Sequence, residues 1–336
     1  MRSWKRTSMR MAVIAFAATL AVAIAGCSSE TTEESTNDAG STSDGQFPVT
    51  IEHAHGSTTI EKRPERVVTV GFTDHETVLA LGVTPVGVVS WFGEDVDATW
   101  PWVADKWNGA TPTYVSSSSG ELLYEKILTL EPDLILALYA NLDDGEYSKL
   151  SAIAPTIAQS GVGAPYTTPW TDMTTTAGKA LGKTPEAQTL ISDINAQFAQ
   201  ARDKHPEFAT QRAAVAVARP EVINAYSSKD SRGIFLSSLG FKPSSELDAF
   251  VGERFAETVP PERLDLLDTV DRLFMLADAE PSSRLAANPL YQNLPVVRDK
   301  RVTELADKDA PSIGAAMSYG TVLSIPYAID KIVELS

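Results

Sequence analysis

Residues 184–204 read TPEAQTLISDINAQFAQARDK, a pattern that predicts one long α-helix. Thr184 is expected at the N-cap, with a proline at the first helical position and a glutamate in the first turn. Apolar residues recur at spacings of three and four, which places one stripe on the helix: Leu190, Ile191, Ile194, Phe198 and Ala201. The pattern ends at Lys204, so the predicted helix is about 30 Å long, the size of a small domain.

Short apolar runs alternate with helical segments before this helix. VVTV at residues 67–70, VGVV at 86–89 and LILAL at 134–138 predict buried strands. Between the first two, Thr73 offers an N-cap to a helix that ends at the Leu-Gly pair of residues 81–82. This alternation predicts an α/β sheet with helices on both faces.

A second series of elements follows the long helix and begins with AAVAVA at residues 213–218. The helix end LGVTP at 81–85 is echoed by LGFKP at 239–243, and glycine followed by proline marks both. Junctions between helices and strands often look alike, so a chance echo is the alternative. The shared order favours an α/β fold of two similar lobes bridged by a single long helix.

The first 26 residues have the composition of a signal peptide. Four basic residues precede an apolar run at 11–25, which is shorter than the roughly 20 residues needed to span a bilayer. The run ends in IAGC, and Cys27 is the only cysteine of the chain. Its position resembles the lipobox of bacterial lipoproteins, which implies a lipid anchor on the extracytoplasmic face of the cell membrane. An ordinary signal peptide that leaves a free thiol is the alternative.

Residues 28–46 are polar and contain no aromatic or branched aliphatic side chain, so we expect a disordered tether. The rest of the chain exceeds a typical single domain of roughly 100–200 residues, which favours two lobes. The whole chain has 28 Lys and Arg against 44 Asp and Glu, a net charge of −16 at pH 7. This acidic excess argues against a nucleic-acid partner.

Four segments resemble iron-siderophore-binding proteins of ABC importers: RPERVVTVG at 63–71, LALGVTPVGV at 79–88, LSAIAPT at 150–156 and VLSIPYAID at 322–330. The resemblance extends over residues 47–336. It implies a substrate-binding lipoprotein with an N-terminal α/β lobe at 47–183, a bridging helix at 184–205 and a C-terminal α/β lobe at 206–336. The ligand cleft is expected between the lobes.

Proteins of this family carry a surface glutamate on each lobe that docks against arginines of the permease. Glu125, in YEKI at 124–127, and Glu262, in PERL at 261–264, match these two glutamates. Charge-assisted bonds to arginine would orient the protein on its membrane partner. Without the resemblance, the preferred explanation is that both are solvated glutamates in the first turn of a helix.

Four tryptophans lie close together in the segment that follows the strand predicted at 86–89: Trp91, Trp100, Trp102 and Trp107. Ligands of open α/β sheets lie beyond the C-terminal ends of the strands, where this segment begins. We expect Trp91 and either Trp100 or Trp102 to line a cleft for a large, partly apolar ligand. The alternative is that these rings cover the core of the N-terminal lobe.

Further ligand-binding candidates follow other predicted strands. Tyr139 comes directly after the strand at 134–138, and Tyr226 after a predicted strand at 221–225. Arg232, near the start of the next helix, is expected to donate hydrogen bonds to the oxygens around a chelated metal, although an exposed arginine is the alternative. Arg254 and Arg219 are weaker candidates of the same type.

The histidines give little support for catalysis. His53 and His55 form a possible transition-metal pair on one strand face, although an exposed pair near a hairpin is the alternative. His75, beside Asp74 at a helix start, is expected to be structural. Because a ferric siderophore saturates its iron with its own oxygens, we expect no catalytic residue, no metal held by the protein and no cofactor.

The predicted protein is a membrane-anchored monomer that binds a ferric siderophore and delivers it to the subunits of an ABC permease. A haem or cobalamin carrier of the same fold is the alternative within the class, and an extracytoplasmic enzyme or a structural lipoprotein lies outside it. Residues 115–121 lack the arginine that some hydroxamate binders of the family carry there. The type of chelator therefore stays open.

Overall fold

The computed structural model describes residues 47–91, 98–161 and 166–335. Its strands are β1 (Val49–His53), β2 (Gly56–Ile60), β3 (Val67–Thr69), β4 (Leu134–Ala137), β5 (Thr156–Ala158), β6 (Ala213–Ala218), β7 (Ile223–Tyr226), β8 (Ala256–Val259), β9 (Arg272–Leu276) and β10 (Val302–Leu305). Its α-helices are α1 (Asp74–Ala80), α2 (Tyr124–Thr129), α3 (Asp144–Ser151), α4 (Trp170–Ala180), α5 (Thr184–Lys204), α6 (Ser231–Ser238), α7 (Ser245–Val251), α8 (Ala279–Ala287), α9 (Pro289–Gln292), α10 (Pro295–Arg298), α11 (Ile313–Tyr319) and α12 (Ser324–Glu334). Short 3-10 helices occupy Ala104–Trp107, Pro206–Thr210 and Pro261–Thr269.

Three sequence predictions fall outside these residues: the signal peptide at 1–26, the lipidated Cys27 and the tether at 28–46. Within the described part of the chain, a helix long and apolar enough to cross a membrane is not found.

The N-terminal half, residues 47–183, contains a parallel sheet in the order β3-β4-β5. Isolated parallel bridges from Val68 to Gly87 and from Val88 to Tyr114 extend this sheet beyond β3. The strand predicted at 86–89 is therefore present only as bridging residues. All four residues of β4 are buried, as expected for the central strand of a parallel sheet whose two faces are both covered.

The C-terminal half, residues 206–335, contains a five-stranded sheet in the order β10-β9-β6-β7-β8. The pairs of β6 with β9 and of β9 with β10 are parallel, whereas β7 pairs with β6 and β8 in antiparallel fashion. The predicted mixed α/β class is confirmed. The two sheets differ in strand number and direction, so the sequence echo describes their helix-to-strand junctions rather than whole lobes.

The echoed junctions share a backbone feature. Helix α1 ends before Gly82, and helix α6 ends before Gly240, with φ values of +78° and +104°. This region strains any residue with a Cβ, so glycine permits both chain reversals. The segments that contain Glu125 and Glu262 are less alike, because Glu125 lies in α-helix α2 whereas Glu262 lies in the 3-10 helix Pro261–Thr269.

Helix α5 has 21 residues and stands between the two sheets in the sequence. Its buried residues are Ala187, Ile191, Ile194, Phe198 and Ala201. The last four belong to the predicted stripe, and Ala187 is an addition to it. Leu190, the remaining residue of the stripe, is half-buried. They pack against α4 of the N-terminal half and α12 of the C-terminal half. The predicted N-cap at Thr184 is wrong by one residue. The carbonyl of Lys183 accepts the first helical bond, from Ala187 N at 2.9 Å, so Lys183 is the cap.

The hydrophobic core runs through both halves. One cluster of buried side chains extends from Ile51 in β1 through Phe198 on α5 to Ile332 in α12. Within it, the ring of Phe198 meets that of Phe235 on α6 edge-on, with centroids 5.8 Å apart. A continuous core makes wide separation of the halves costly, because it would expose this apolar surface.

Replacing Phe198 with Ala tests the role of α5 in this core. The side chain is 2% exposed and contacts both halves, so Phe198→Ala should lower the free energy of unfolding by about 3–5 kcal/mol. Urea denaturation followed by circular dichroism measures this loss. The exposed Gln200→Ala, on the same helix, is the matched control and should change it by less than about 0.5 kcal/mol. Equal effects from both variants would contradict this role of α5.

Candidate ligand-binding cleft

A cavity of about 250 Å³, partly open to solvent, lies between elements of the two halves. The N-terminal half contributes four aromatic side chains: Phe72, Trp91, Tyr139 and Tyr166. The C-terminal half contributes aromatic and charged side chains: Arg219, Tyr226, Asp230, Arg232 and Phe255. This mixture of aromatic walls with a few charged groups is typical of small-molecule sites.

Strand ends place the N-terminal wall. Phe72 follows β3, Tyr139 follows β4, and Trp91 follows the bridging residues that extend the sheet. The Phe72 ring stacks on Trp91 with centroids 5.6 Å apart and on Tyr166 at 5.8 Å. The Tyr166 ring meets Phe255 of the opposite wall edge-on at 6.1 Å. These aromatic contacts give the cleft a continuous apolar surface.

Asp74 holds the backbone at the end of β4. Its buried carboxylate accepts the N–H groups of Leu138 at 2.7 Å and Tyr139 at 2.9 Å, so helix α1 positions the Tyr139 ring. Burial raises the pKa of Asp74 to about 6, and the backbone donors oppose that rise only in part. Burial also raises the pKa of the Tyr139 hydroxyl, which therefore stays protonated at neutral pH.

Arg232 is the buried cation of the cleft. Asp230 caps helix α6, and both of its carboxylate oxygens accept from Nη1 of Arg232, at 2.8 and 3.0 Å. The guanidinium carbon lies 3.9 Å from the centre of the Tyr226 ring, a cation–π contact. Burial lowers the pKa of Arg232, but the charge of Asp230 outweighs it and leaves the pKa raised. The Arg232 guanidinium is therefore charged, and Asp230 and the Tyr226 ring fix its orientation.

Arg219 is the second cation and follows β6. Its Nη1 donates to Oδ2 of Asp307 at 2.8 Å. The Asp307 side chain is 2% exposed, whereas that of Arg219 is 40% exposed. The buried Asp307 carboxylate therefore holds one nitrogen of the Arg219 guanidinium, and Arg219 also borders the cavity.

Trp100 and Trp102 do not line the cavity, which corrects the prediction that one of them would. Their rings stack on each other with centroids 5.2 Å apart, and both are buried in the core. Nε1 of Trp102 donates to Oε1 of Glu76 at 2.7 Å. The Glu76 carboxylate also accepts the hydroxyl of Thr321 in the C-terminal half. A buried partner for the indole N–H stabilises this inward position, and of the predicted tryptophans only Trp91 borders the cavity.

Arg254 also lies outside the cavity, contrary to the prediction. Its side chain is largely exposed and pairs with Glu257, while its Nε donates weakly to the carbonyl of Val251. The next residue, Phe255, lines the cleft instead. The predicted candidates Tyr139, Tyr226 and Arg232 do line the cavity in the structure, and so does Arg219.

Four lining residues are missing from the sequence predictions: Phe72, Tyr166, Asp230 and Phe255. Phe72 carries the same signal as Tyr139, since it directly follows a predicted strand. Asp230 is recognisable as a helix cap two residues before Arg232. Tyr166 and Phe255 lie in irregular segments, where no periodic pattern marks them.

The two histidines suggested as a metal pair are engaged with protein groups. His55 contacts Oδ1 of Asp144 at 3.0 Å and the carbonyl of Leu142 at 3.1 Å, and its ring stacks on Tyr147. His53 is buried and contacts Thr58 at 2.9 Å. Both rings therefore join the β1–β2 hairpin to neighbouring elements and are not the exposed pair considered as the alternative. His75 is likewise buried, between Trp107 and Tyr319.

The proposed docking glutamates both lie on the surface. Glu125 is in the first turn of α2, and Glu262 is in the first turn of the 3-10 helix before β9. Both are exposed, and neither forms an ion pair with another described residue. Their carboxylates are accessible to an external partner.

Comparisons with known proteins match this architecture. Residues 67–308 match the periplasmic binding protein family. The chain is 28% identical over 289 residues to the Fe(3+)-citrate-binding protein YfmC of Bacillus subtilis (strain 168), covering 85% of each protein. A periplasmic solute binding protein from Mycobacterium smegmatis has a TM-score of 0.74 at 30% identity, covering 85% of this chain and 96% of that one. PiaA from Streptococcus pneumoniae TIGR4, solved in complex with ferrichrome, has a TM-score of 0.73 at 28% identity, with the same coverage.

The buried carboxylate of Asp74 predicts a pH-dependent stability. Its pKa is about 6 in the folded protein against 3.8 ordinarily, so the folded state binds the proton more tightly. The resulting stabilisation is fully present below about pH 4 and is lost as the pH rises through 6, a change on the order of 3 kcal/mol. Urea unfolding of wild type and Asp74→Asn at pH 4 and pH 7 measures it.

The wild type should gain stability relative to Asp74→Asn as the pH falls between these values. Exposed Asp105→Asn reports the general effect of removing one carboxylate. A wild-type to Asp74→Asn difference that does not change with pH would rule out this titration.

Proposed function

Because the chain belongs to the periplasmic binding protein family, we propose that it is an extracytoplasmic receptor that binds a ferric siderophore and delivers it to an ABC permease. The aromatic cleft between elements of the two halves carries this proposal. Among the relatives, YfmC is named as a ferric-citrate-binding protein and PiaA was solved with ferrichrome, and both of these ligands are iron chelates. Aromatic walls with a few charged groups suit such a chelate, which combines apolar organic parts with polar iron-binding oxygens.

The side chains of the cleft favour binding over catalysis. Tyr139 keeps its proton, and Asp230 is held by Arg232, so neither is available as a general base at neutral pH. Burial also raises the pKa of the Tyr166 and Tyr226 hydroxyls, so both keep their protons at neutral pH, and the other described lining groups are Phe and Trp rings and arginines. We therefore propose a solute carrier without enzymatic activity, whose iron is held by the chelator and not by a cofactor of the protein.

We propose lobes at residues 47–183 and 206–336, joined by the helix of 184–205, with only small movement between them. The continuous core and the Glu76–Thr321 hydrogen bond both cross from one half to the other. Opening the cleft widely would break a buried hydrogen bond to a carboxylate and expose apolar surface, both of which are costly.

The anchoring and the partner complete the proposal. Lipidated Cys27 and a tether at 28–46 would hold a monomer at the extracytoplasmic face of the membrane. A flexible chain of this length spans roughly 24 Å on average. From there, exposed Glu125 and Glu262 would dock on arginines of the permease through charge-assisted hydrogen bonds.

Trp91 provides a direct test of the cleft, because ferric iron quenches indole fluorescence at short range. A matching ferric siderophore should quench the mature protein with a Kd below about 1 μM, equivalent to about 8 kcal/mol. Trp91→Phe should lose a large share of the quenched signal, whereas Trp107→Phe, buried in the core, should lose little. The gallium chelate serves as a non-quenching control for binding.

Haemin and cobalamin form separate arms of this titration. A Soret shift with haemin, and no binding of any ferric chelate, would favour a haem carrier instead. Absence of binding in every arm, checked by calorimetry, would overturn the proposed function.

The docking glutamates are tested by charge reversal. Glu125→Arg and Glu262→Arg should each reduce iron uptake by cells at least about 10-fold, because like charges would then face each other across the interface. Ligand affinity should change by less than about twofold, since both residues lie outside the cavity. Glu186→Arg, an exposed site on α5, is the control. A parallel loss of ligand binding would remove the docking role.

A further inference from the structure

The charges of the cleft lie on one wall. Among the described lining residues, Phe72, Trp91, Tyr139 and Tyr166 of the N-terminal half carry no charge at neutral pH. The C-terminal wall carries two arginines and one aspartate: Arg219, Arg232 and Asp230. These described lining groups sum to one positive charge, opposite in sign to the −16 of the whole chain. A positive wall inside an acidic protein is a local feature that ligand binding would explain.

Arg232 has a donor without an acceptor. The side chain is nine-tenths buried, and its bonds to Asp230 use Nη1 alone. Its Nε is also buried and donates to no group in the described part of the chain. A buried N–H of a charged group normally has a partner, because leaving it unpaired forfeits its hydration. Arg232 also lines the cavity, so an anionic oxygen of a ligand there would lie beside a guanidinium whose hydrogen-bonding capacity the described part of the chain leaves partly unused.

Rigid supports hold both arginines. The Tyr226 ring lies against the guanidinium of Arg232, and Asp230 holds its Nη1. Asp307, which does not line the cavity, holds Nη1 of Arg219 from behind. Fixed guanidinium groups recognise planar anionic groups with little loss of side-chain entropy on binding.

We propose that the cleft selects ferric chelates of net negative charge, whose carboxylate or catecholate oxygens face Arg219 and Arg232, over neutral trihydroxamate chelates. This inference rests on the proposed function and adds the charge class of the ligand. The relatives leave this point open, since YfmC is a ferric-citrate protein and PiaA was solved with the trihydroxamate ferrichrome. The aromatic wall would contact the apolar part of either kind of chelate.

Calorimetric titration of the mature protein with three probes tests the charge class. Ferric citrate and a ferric tris-catecholate are the anionic arms and distinguish the two oxygen sources, and ferrichrome is the neutral arm. At least one anionic chelate should bind about 10-fold or more tightly than ferrichrome. Its affinity should fall as salt is added, because screening weakens charge pairing.

Arg219→Gln should weaken the anionic chelate by about 10-fold or more and change ferrichrome by less than about twofold. Arg254→Gln is the matched control, because Arg254 lies near the same wall but is exposed and paired with Glu257 outside the cavity. Arg232→Gln alone would leave Asp230 buried and unpaired, so it is combined with Asp230→Asn. This double variant should show the same selective loss, with folding checked by thermal denaturation.

Two results overturn the inference. If ferrichrome binds as tightly as both anionic chelates, and Arg219→Gln affects all probes alike, the cleft does not select charge while the proposed function stands. If no ferric chelate binds the wild-type protein, the proposed function fails and this inference fails with it.

Discussion

The cleft depends on the buried carboxylate of Glu76. This side chain on α1 is fully buried and accepts hydrogen bonds from Trp102 of the N-terminal half and Thr321 of the C-terminal half. Thr321 also accepts from the backbone N–H of Ser324 at the start of α12. A carboxylate removed from water needs such donors, because an unpaired buried charge is strongly destabilising. Satisfying Glu76 therefore requires the two halves to meet in one arrangement.

That arrangement also positions the residues that support the cavity lining. With Trp102 bonded to Glu76, the Trp100–Trp102 stack lies against the ring of Tyr319, which is fully buried and contacts Trp91 at 5.3 Å. Next to Tyr319, the chain comes so close to α6 that a Cβ on Gly320 would lie 2.9 Å from that of Ser231. Ser231 donates to the carbonyl of Ser318 at 2.9 Å, and it directly precedes Arg232. One loop thus supports both the aromatic and the cationic wall.

Local patterns predict much of the fold and part of the site. The stripe on α5, the strands β4 and β6, and the turn glycines follow from periodicity and backbone conformation alone. Tyr139, Tyr226 and Arg232 follow from the rule that ligands gather beyond strand ends. The burial of Trp102 cannot be predicted from local patterns, because its hydrogen-bond partner Glu76 lies 26 residues earlier in the chain. Glu76 is in turn bonded to Thr321, which lies 245 residues after it. Tyr166 and Phe255 owe their places to tertiary packing, which no local pattern encodes.

A cleft assembled in this way is ordered before any ligand arrives. Arg232 is held by Asp230 and the Tyr226 ring, Arg219 by Asp307, and Tyr139 by the Asp74 carboxylate that accepts its backbone N–H. Folding has already met the entropy cost of fixing these side chains, so binding does not meet it again. The energetic penalty of holding Asp74 ionised and Nε of Arg232 without a described acceptor belongs to the empty protein. A ligand that brings an anionic oxygen meets two guanidinium groups already fixed at the cavity, and so the free protein already favours one charge of ligand over the other.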